Sequence, residues 1–180
     1  MNRDRREAVW VLRTQADDRD ALEQLLASLM PAVRRLAVGL VGEDAADDVV
    51  QETLLLVYRR LHQLADPRLV RPWTYRIAKR VGVRMLKKLR RTFEVGGEES
   101  GLDLLEAPPE APDARSIDEF LRHGEVSPAS RTVMLLHFGE GMSLLEVAAV
   151  LELPLGTVKS RLGYGLSILR RNLHEKEGQA

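Results

Sequence analysis

A stretch of unlike composition divides this chain in two. Residues 96–116 (GGEESGLDLLEAPPEAPDARS) contain two adjacent glycines, three prolines, and six acidic residues against one basic residue. Low apolar periodicity, proline and charge of a single sign favour an extended linker over a packed element. A surface loop within one domain is the alternative, but about 20 residues is long for such a loop. We therefore expect two small domains, residues 1–95 and 117–180, joined by a flexible acidic linker.

Both flanking segments have the spacing of packed α-helices. Apolar residues recur at helical intervals between residues 16 and 42, interrupted by Pro31, so this part is either two helices or one kinked helix. A second amphipathic helix is expected over residues 44–64, and a long helix from Pro72 to residue 91. Aromatic residues make up only 4% of the chain, which suits helices better than sheets. The predicted fold class is all-α.

The formal net charge of zero, from 27 basic and 27 acidic residues, argues as a bulk number against a generally cationic nucleic-acid binder. The charges are segregated, however. Residues 1–95 hold 19 basic and 13 acidic residues, a net of +6, whereas the linker carries −5 and residues 117–180 carry −1. The net charge of zero therefore combines a basic first domain, an acidic linker and a nearly neutral second domain.

Several functional classes are disfavoured by what the sequence contains. It has no cysteine, which excludes disulfides and thiolate sites, and its apolar runs fall short of the roughly 20 residues that span a bilayer. No nucleophile with a base, phosphate loop or cofactor motif is found, and the four histidines lack ligand spacing. We expect a soluble intracellular protein that is not an enzyme and holds no metal or cofactor.

The last predicted helix of the first domain is strongly basic. Ten basic residues and no acid lie between Arg68 and Arg91, and a basic side chain recurs every fourth residue at positions 76, 80, 84 and 88. Like charges at this spacing destabilise a helix, so an anion is needed to relieve them, and a phosphate backbone is the natural candidate. A solvated basic face is the alternative. Trp73 beside it is suited to stacking on unpaired bases or to core packing.

The preceding helix, residues 44–64, carries an acidic cluster. Asp47, Asp48, Gln51 and Glu52 lie largely apart from a predicted apolar stripe that consists of Val50, Leu54, Val57, Tyr58 and Leu61. From the residues alone, this cluster is a docking surface, a solvated face or a weak divalent site.

The sequence predicts four helices in the second domain. A capping box at Ser116–Glu119 predicts a short helix that ends at Gly124, and Ser127-Pro128 opens a second helix that stops near residues 139–141. A second capping box, Ser143 to Glu146, opens the third helix. The turn at residues 152–154 leads to a final helix over residues 155–173.

The last two predicted helices form a helix-turn-helix pattern. In this motif the second helix enters the major groove with its N-terminal residues facing the bases. Thr157, Lys159, Ser160 and Arg161 are placed for contacts with bases or phosphates. A helical hairpin used only for packing is the alternative.

Both halves resemble the bacterial RNA polymerase sigma factors of the extracytoplasmic-function (ECF) type. Residues 46–52 (ADDVVQE) are similar to the family's core-binding helix, and residues 71–78 (RPWTYRIA) to its promoter-melting segment. Residues 146–162 (EVAAVLELPLGTVKSRL) are similar to the elements that read the minus-35 sequence. The similarity covers about residues 15–92 and 117–173.

The resemblance implies roles for these residues. Asp47, Asp48, Gln51 and Glu52 would dock on the basic coiled-coil helices of core RNA polymerase. The opened minus-10 strand would be held by the side chains of Arg71, Trp73, Arg76, Lys79, Arg80, Arg84, Lys87 and Lys88. The minus-35 element would be read by Thr157, Lys159, Ser160, Arg161 and Tyr164. Promoter DNA, core polymerase and an anti-sigma factor are the implied partners, in the cytoplasm or at a membrane-bound anti-sigma factor.

The sequence departs from the family at five positions. Arg80 stands where Asn is usual and Arg84 where Asp is frequent, so phosphate attraction increases while shaped hydrogen-bonding groups are lost. Gly163, Tyr164 and Gly165 replace a larger residue, Arg and Ala, which predicts a less rigid recognition helix with weaker minus-35 binding.

Two functions follow from these observations. The first is a promoter-recognition subunit that gives specificity to RNA polymerase. The second is a sigma-like decoy or adaptor that binds an anti-sigma factor while its promoter recognition is weakened. A stand-alone helix-turn-helix repressor does not account for the acidic helix.

Overall fold

The computed structural model describes residues 3–93 and 126–177, with side chains placed for residues 3–88 and 126–171. The chain divides into two compact units, residues 1–92 and 93–180, called here the N-terminal and C-terminal units. Within the described ranges all regular structure is helical. The predicted all-α fold with two small helical domains is confirmed. The expected linker and the helix expected at residues 116–124 lie outside the described residues.

The N-terminal unit contains four α-helices and two single 3₁₀ turns. In chain order they are α1 (Arg3–Gln15), α2 (Arg19–Val41), α3 (Glu43–Arg60), 3₁₀ turns at Leu61–Gln63 and Pro67–Leu69, and α4 (Val70–Phe93).

Helix α2 is the centre of the N-terminal core. It begins where the Asp18 carboxylate accepts a hydrogen bond of 3.0 Å from the Ala21 amide, and it ends at Gly42, whose φ of +85° favours glycine. Its buried side packs between α1 and α3. The helix continues through Pro31, which is exposed, so residues 19–41 form one helix rather than two. Tertiary packing on both sides of Pro31 outweighs the local cost of a proline inside a helix.

By length and composition, α2 is also the one described helix that would suit a membrane crossing. The same property is expected of a helix at the centre of a small core. Leu25, Leu29, Val33 and Leu36 are all almost fully buried within the N-terminal unit.

Helix α1 was not predicted from the sequence. Its apolar residues form one consecutive run, residues 8–12, so they show no helical period. Its buried residues are Glu7, Val11 and Thr14, of which only Val11 is apolar. The helix can therefore be recognised from its packing within the N-terminal unit but not from its local sequence pattern.

The described part of the C-terminal unit starts at residue 126. It consists of α5 (Pro128–Met134) with a π-helical turn at Leu135–Gly139, α6 (Leu144–Leu151) and α7 (Leu155–Glu177). Val133, Val147, Val150, Val158 and Leu162 form the centre of its core. The three helices expected in this range are present, and the last extends past its expected end at residue 173.

The predicted capping box at the start of α6 is formed. The Glu146 amide donates to Ser143 Oγ at 3.3 Å, and the Ser143 amide donates to Glu146 Oε2 at 2.8 Å. The pKa of Glu146 lies below its ordinary value of 4.5. The main cause is the hydrogen bond that its carboxylate accepts from the Ser143 amide, and a hydrogen bond with the Ser143 side chain is the second cause.

We expect this capping box to make the C-terminal unit sensitive to acid. A carboxyl group whose pKa is lowered by folding stabilises the folded state above its unfolded value, and this contribution is lost as the pH falls through the lowered value. Glu146→Gln should therefore lower stability near neutral pH by less than about 1 kcal/mol. The difference from the parent chain should shrink below about pH 4.5. Unfolding of the full chain by denaturant at several pH values measures it, and a constant difference would contradict the expectation.

Candidate functional site

The acidic cluster lies on the outer side of α3. Ala46, Val49, Thr53 and Val57 are buried, and α3 packs through this side against α2. The cluster residues Asp47, Asp48 and Gln51 are exposed, and Glu52 is half-buried. The structure therefore brings the four predicted docking residues to one accessible region of one helix.

Two of these acidic side chains form ion pairs inside the unit. Asp47 Oδ1 lies 3.3 Å from Arg34 Nε, and Arg34 also contacts Glu43 at 3.0 Å. Glu52 Oε1 pairs with Arg84 Nη2 of α4. Asp48 is thus the exposed carboxylate of the cluster for which the structure shows no such pair among the described side chains.

Two apolar side chains continue this surface along α3. Leu55 is 43% exposed and Tyr58 is 55% exposed. Together with Asp48 and Gln51 they follow intervals of three and four residues, which places all four on one helix face. The prediction that Tyr58 belongs to the apolar core stripe was therefore wrong. Its spacing from Gln51 was the signal in the sequence that could have placed it on the same side as the acidic cluster.

Helix α4 turns most of the predicted basic residues outward. Tyr75, Ile77, Ala78 and Val81 form its buried side. Trp73 and Lys79 are half-buried, while the exposed basic residues are Arg76, Arg80, Arg84, Lys87 and Lys88. This exposed set is called the basic strip below. Residues 89–93 continue the helix beyond the described side chains.

Arg71 does not belong to that strip. Its guanidinium forms two hydrogen bonds with the carboxylate of Glu7, at 2.6 and 2.7 Å, and donates to Tyr75 Oη at 3.0 Å. The Glu7 carboxylate also accepts a bond of 2.5 Å from Ser28 Oγ. Both charged side chains are buried, with 9% exposure for Arg71 and none for Glu7. The Arg71 side chain therefore holds α1, α2 and α4 together, and its burial separates it from the basic residues that face solvent.

The segment between α3 and α4 is fixed at both ends. Gln15 of α1 donates hydrogen bonds of 3.0 Å to the carbonyls of Leu61 and Leu64. Asp66 caps the following turn and forms an ion pair of 2.9 Å with Arg68, whose side chain holds the pKa of Asp66 below its ordinary value. Leu69 beyond it is 52% exposed. The turn that leads into the basic strip is therefore held by a specific set of bonds.

The helix-turn-helix is formed by α6 and α7. The turn between them contains Glu152 in the left-handed conformation, with φ of +56°. Val147, Val150 and Leu151 of α6 are buried, as are Val158 and Leu162 of α7. This packing fixes which side of α7 faces outward.

The predicted minus-35 residues divide between two parts of that outward side. Thr157, Ser160, Arg161 and Tyr164 follow the intervals of one helix face, and Tyr164 is 51% exposed. Lys159 is also exposed, but it lies on the far flank, roughly 160° around the helix from Arg161. The structure brings four of the five residues together and separates the fifth.

Gly165 fills a packing role that the sequence did not indicate. It is buried, and a Cβ atom added there would overlap Met134 Sδ and approach Met134 Cγ to 3.3 Å. Helix α7 therefore approaches α5 closely at this point. The expectation of a less rigid helix at Gly165 is replaced by one of close packing between two helices.

We expect Gly165→Ala to destabilise the C-terminal unit. Overpacking against Met134 costs about 1–3 kcal/mol, whereas alanine recovers about 1 kcal/mol of helix propensity. Gly156→Ala is the matched control, because a Cβ atom at Gly156 in the same helix meets nothing within 4 Å. Chemical denaturation of the two full-length variants compares them. Equal or greater stability of Gly165→Ala would show that Met134 moves aside without loss.

The described side chains contain no group of three or more His, Asp or Glu residues suited to a metal ion. The two units together instead present an acidic face, a basic helix and a helix-turn-helix. This combination is typical of a helical DNA-binding protein, and the acidic face would suit a basic protein partner.

Comparison with known proteins identifies the family. The family Sigma-70 region 2 matches residues 25–92, and Sigma-70, region 4 matches residues 124–171. The ECF RNA polymerase sigma factor SigL of Mycobacterium tuberculosis is 33% identical over 147 residues, which cover 78% of this chain and 82% of that protein. SigW of Bacillus subtilis is 22% identical over 178 residues, covering 92% and 95%. The chain belongs to the ECF sigma factors.

Solved structures show the same fold. The sigma factor RpoE of Bartonella quintana, in complex with the anti-sigma factor NepR, gives a TM-score of 0.63 at 23% identity, covering 84% of this chain and 96% of that one. CnrH, in complex with the cytosolic domain of CnrY, gives 0.61 at 23% identity, covering 94% and 98%.

Proposed function

We propose that this chain binds core RNA polymerase in the cytoplasm and directs it to promoters through separate contacts at the minus-10 and minus-35 elements. It forms and breaks no covalent bond, because the polymerase carries out the phosphoryl transfer. The observation that carries the proposal is the outward placement of opposite charges on adjacent helices: an acidic face on α3 and a basic strip on α4.

The docking surface is the outer face of α3. Asp48 and Gln51 supply exposed polar groups for basic helices of the polymerase, and Leu55 and Tyr58 add apolar contact area. Asp47 and Glu52 contribute after exchanging their internal arginine partners for basic groups of the polymerase.

The minus-10 contacts are assigned to α4. Arg76, Lys79, Arg80, Arg84, Lys87 and Lys88 attract the phosphates of the opened strand, and the half-buried Trp73 is suited to stacking on a base. Positive charge at positions 80 and 84 makes these contacts more electrostatic than is usual in the family. The affinity should therefore fall steeply as salt rises.

The minus-35 contacts are assigned to α7. Thr157, Ser160, Arg161 and Tyr164 share the face that would enter the major groove, where Arg161 is suited to guanine. Lys159, on the other flank, is suited to a backbone phosphate rather than a base.

An anti-sigma factor is the proposed regulatory partner. The RpoE structure named above was determined with an anti-sigma factor bound, and the CnrH structure with the cytosolic domain of CnrY bound. A membrane-bound partner of this kind would hold the chain at the membrane until a signal releases it.

A decoy function is the second candidate. It is favoured by Arg80 and Arg84, which replace shaped polar groups with charge, and by the ion pair that occupies Arg84. A decoy would retain the protein-binding faces and bind an anti-sigma factor without starting transcription.

Adding the purified chain to core polymerase separates the two candidates. The templates are the DNA upstream of its own gene and a pool of genomic promoters. Specific transcripts that require the chain support the sigma function. A stable complex with core polymerase that yields no transcript from any template contradicts it and favours the decoy.

A further inference from the structure

The ion pair between Glu52 and Arg84 joins two surfaces that the proposed function assigns to different partners. Glu52 lies in the acidic docking cluster of α3, and Arg84 lies in the basic strip of α4. Their side chains are 40% and 63% exposed, so both remain within reach of an external partner.

Each side chain stands among groups of its own sign. Arg84 lies four residues after Arg80 and four before Lys88, and Glu52 lies four residues after Asp48. Like charges at this spacing repel each other, and the ion pair relieves that repulsion on both helices. A DNA phosphate would relieve it at Arg84, and a basic group of the polymerase would relieve it at Glu52.

We propose that this pair couples polymerase docking to DNA binding. In the free chain Glu52 occupies Arg84 and places a negative charge beside the strip that must receive phosphates. When a basic group of the polymerase takes Glu52, Arg84 is released and the local repulsion of DNA falls. The release of Arg84 and the weaker repulsion both favour DNA binding, so docking on the polymerase strengthens DNA binding. By linkage, bound DNA strengthens docking to the same extent.

The coupling is small for a single pair. Exposed and half-exposed ion pairs of this kind correspond to roughly a 1.5- to 5-fold change in an equilibrium constant. It acts together with the assembly of both DNA-binding units on the polymerase, and it lowers the occupation of random DNA by the free chain. The inference rests on the proposed function, because it needs α4 to contact DNA and α3 to contact the polymerase.

A double-mutant cycle on the full chain tests the coupling. The four proteins are the parent chain, Glu52→Gln, Arg84→Gln and the double variant. Their affinities for a fluorescent single-stranded DNA are measured by anisotropy over a range of salt, without polymerase. Glu52→Gln should raise the affinity by roughly 1.5- to 5-fold in the parent and by less in the Arg84→Gln background. It should also steepen the salt dependence by up to about 0.7, as expected for one further phosphate contact.

Asp48→Asn provides the matched control. It removes the same charge one turn away on the same helix, where no pair with the basic strip is shown among the described side chains. An equal gain from Asp48→Asn and Glu52→Gln, or an effect of Glu52→Gln that is unchanged by Arg84→Gln, would overturn the coupling while leaving the proposed DNA contacts intact. Absence of measurable DNA binding by all variants would overturn the α4 contacts and the coupling together. Circular dichroism establishes that each variant is folded.

Discussion

We expect Asp48→Lys to remove most of the affinity of this chain for core RNA polymerase. Asp48 is exposed on the proposed docking face of α3, and no arginine among the described side chains is shown paired with it. Reversing its charge opposite a basic helix replaces attraction with repulsion, which costs several kcal/mol in like-charge interfaces. An increase in Kd of about 30-fold or more is expected, measured by fluorescence anisotropy with labelled chain and purified core.

The matched control for this substitution is Glu23→Lys. Glu23 is an exposed acidic residue of α2, outside the cluster, and its replacement changes the net charge by the same amount. Its affinity for core should stay within about twofold of the parent. A similar loss for both variants would assign the effect to overall charge, and no loss for Asp48→Lys would exclude this face as the docking surface.

We expect Arg71→Met to destabilise the N-terminal unit strongly. This substitution leaves the fully buried Glu7 carboxylate without the guanidinium that forms two of its hydrogen bonds. Breaking a buried ion pair from one side destabilises a protein by about 3–5 kcal/mol. For a unit of this size that is a large share of the total stability, so the N-terminal unit should be partly unfolded at physiological temperature. Thermal and urea unfolding followed by circular dichroism measures the loss.

Two further variants separate this structural role from a DNA contact. Arg76→Met removes an exposed arginine of the same helix, so it should leave stability within about 0.5 kcal/mol while it weakens DNA binding. Glu7→Leu combined with Arg71→Met should recover part of the lost stability, because no unpaired charge remains buried. A stable Arg71→Met variant with reduced DNA affinity would contradict the role derived from the structure.

The helices themselves were largely predictable from local patterns. Gly42 ends α2, Ser127 and Ser143 open α5 and α6, and each of these positions acts through a bond to residues at most four positions away. Such short-range chemistry is fully represented in the sequence. The helix-turn-helix could be placed for the same reason.

The buried network could not be predicted in this way. Glu7 and Arg71 are 64 residues apart, and each taken alone resembles an ordinary surface charge at a helix start. Their burial depends on how α1 lies against α2 and α4, which no local pattern states. The family resemblance also placed Arg71 among the residues expected to contact DNA, although its side chain is buried.

The types and positions of the site residues could be predicted from the sequence, but the contacts between their side chains could not. The exposed face of α3 could be found from spacing, whereas the occupation of Glu52 by Arg84 required the contact between two helices. Tyr58 was predicted on the wrong side of α3, and Lys159 lies on a different flank of α7 from the other predicted minus-35 residues. Within one turn of a helix, the face on which a residue lies is decided by packing rather than by its residue type.

The proposed contacts of α4 with the opened minus-10 strand require that this chain enables core polymerase to open promoter DNA. Permanganate footprinting on a genomic promoter template tests it directly, because permanganate attacks unpaired thymines. The chain and core together should produce reactive thymines just upstream of the transcription start, whereas either protein alone, or core with the Asp48→Lys variant, should produce none. A stable complex of chain, core and template in which no thymine becomes reactive would contradict the proposed function.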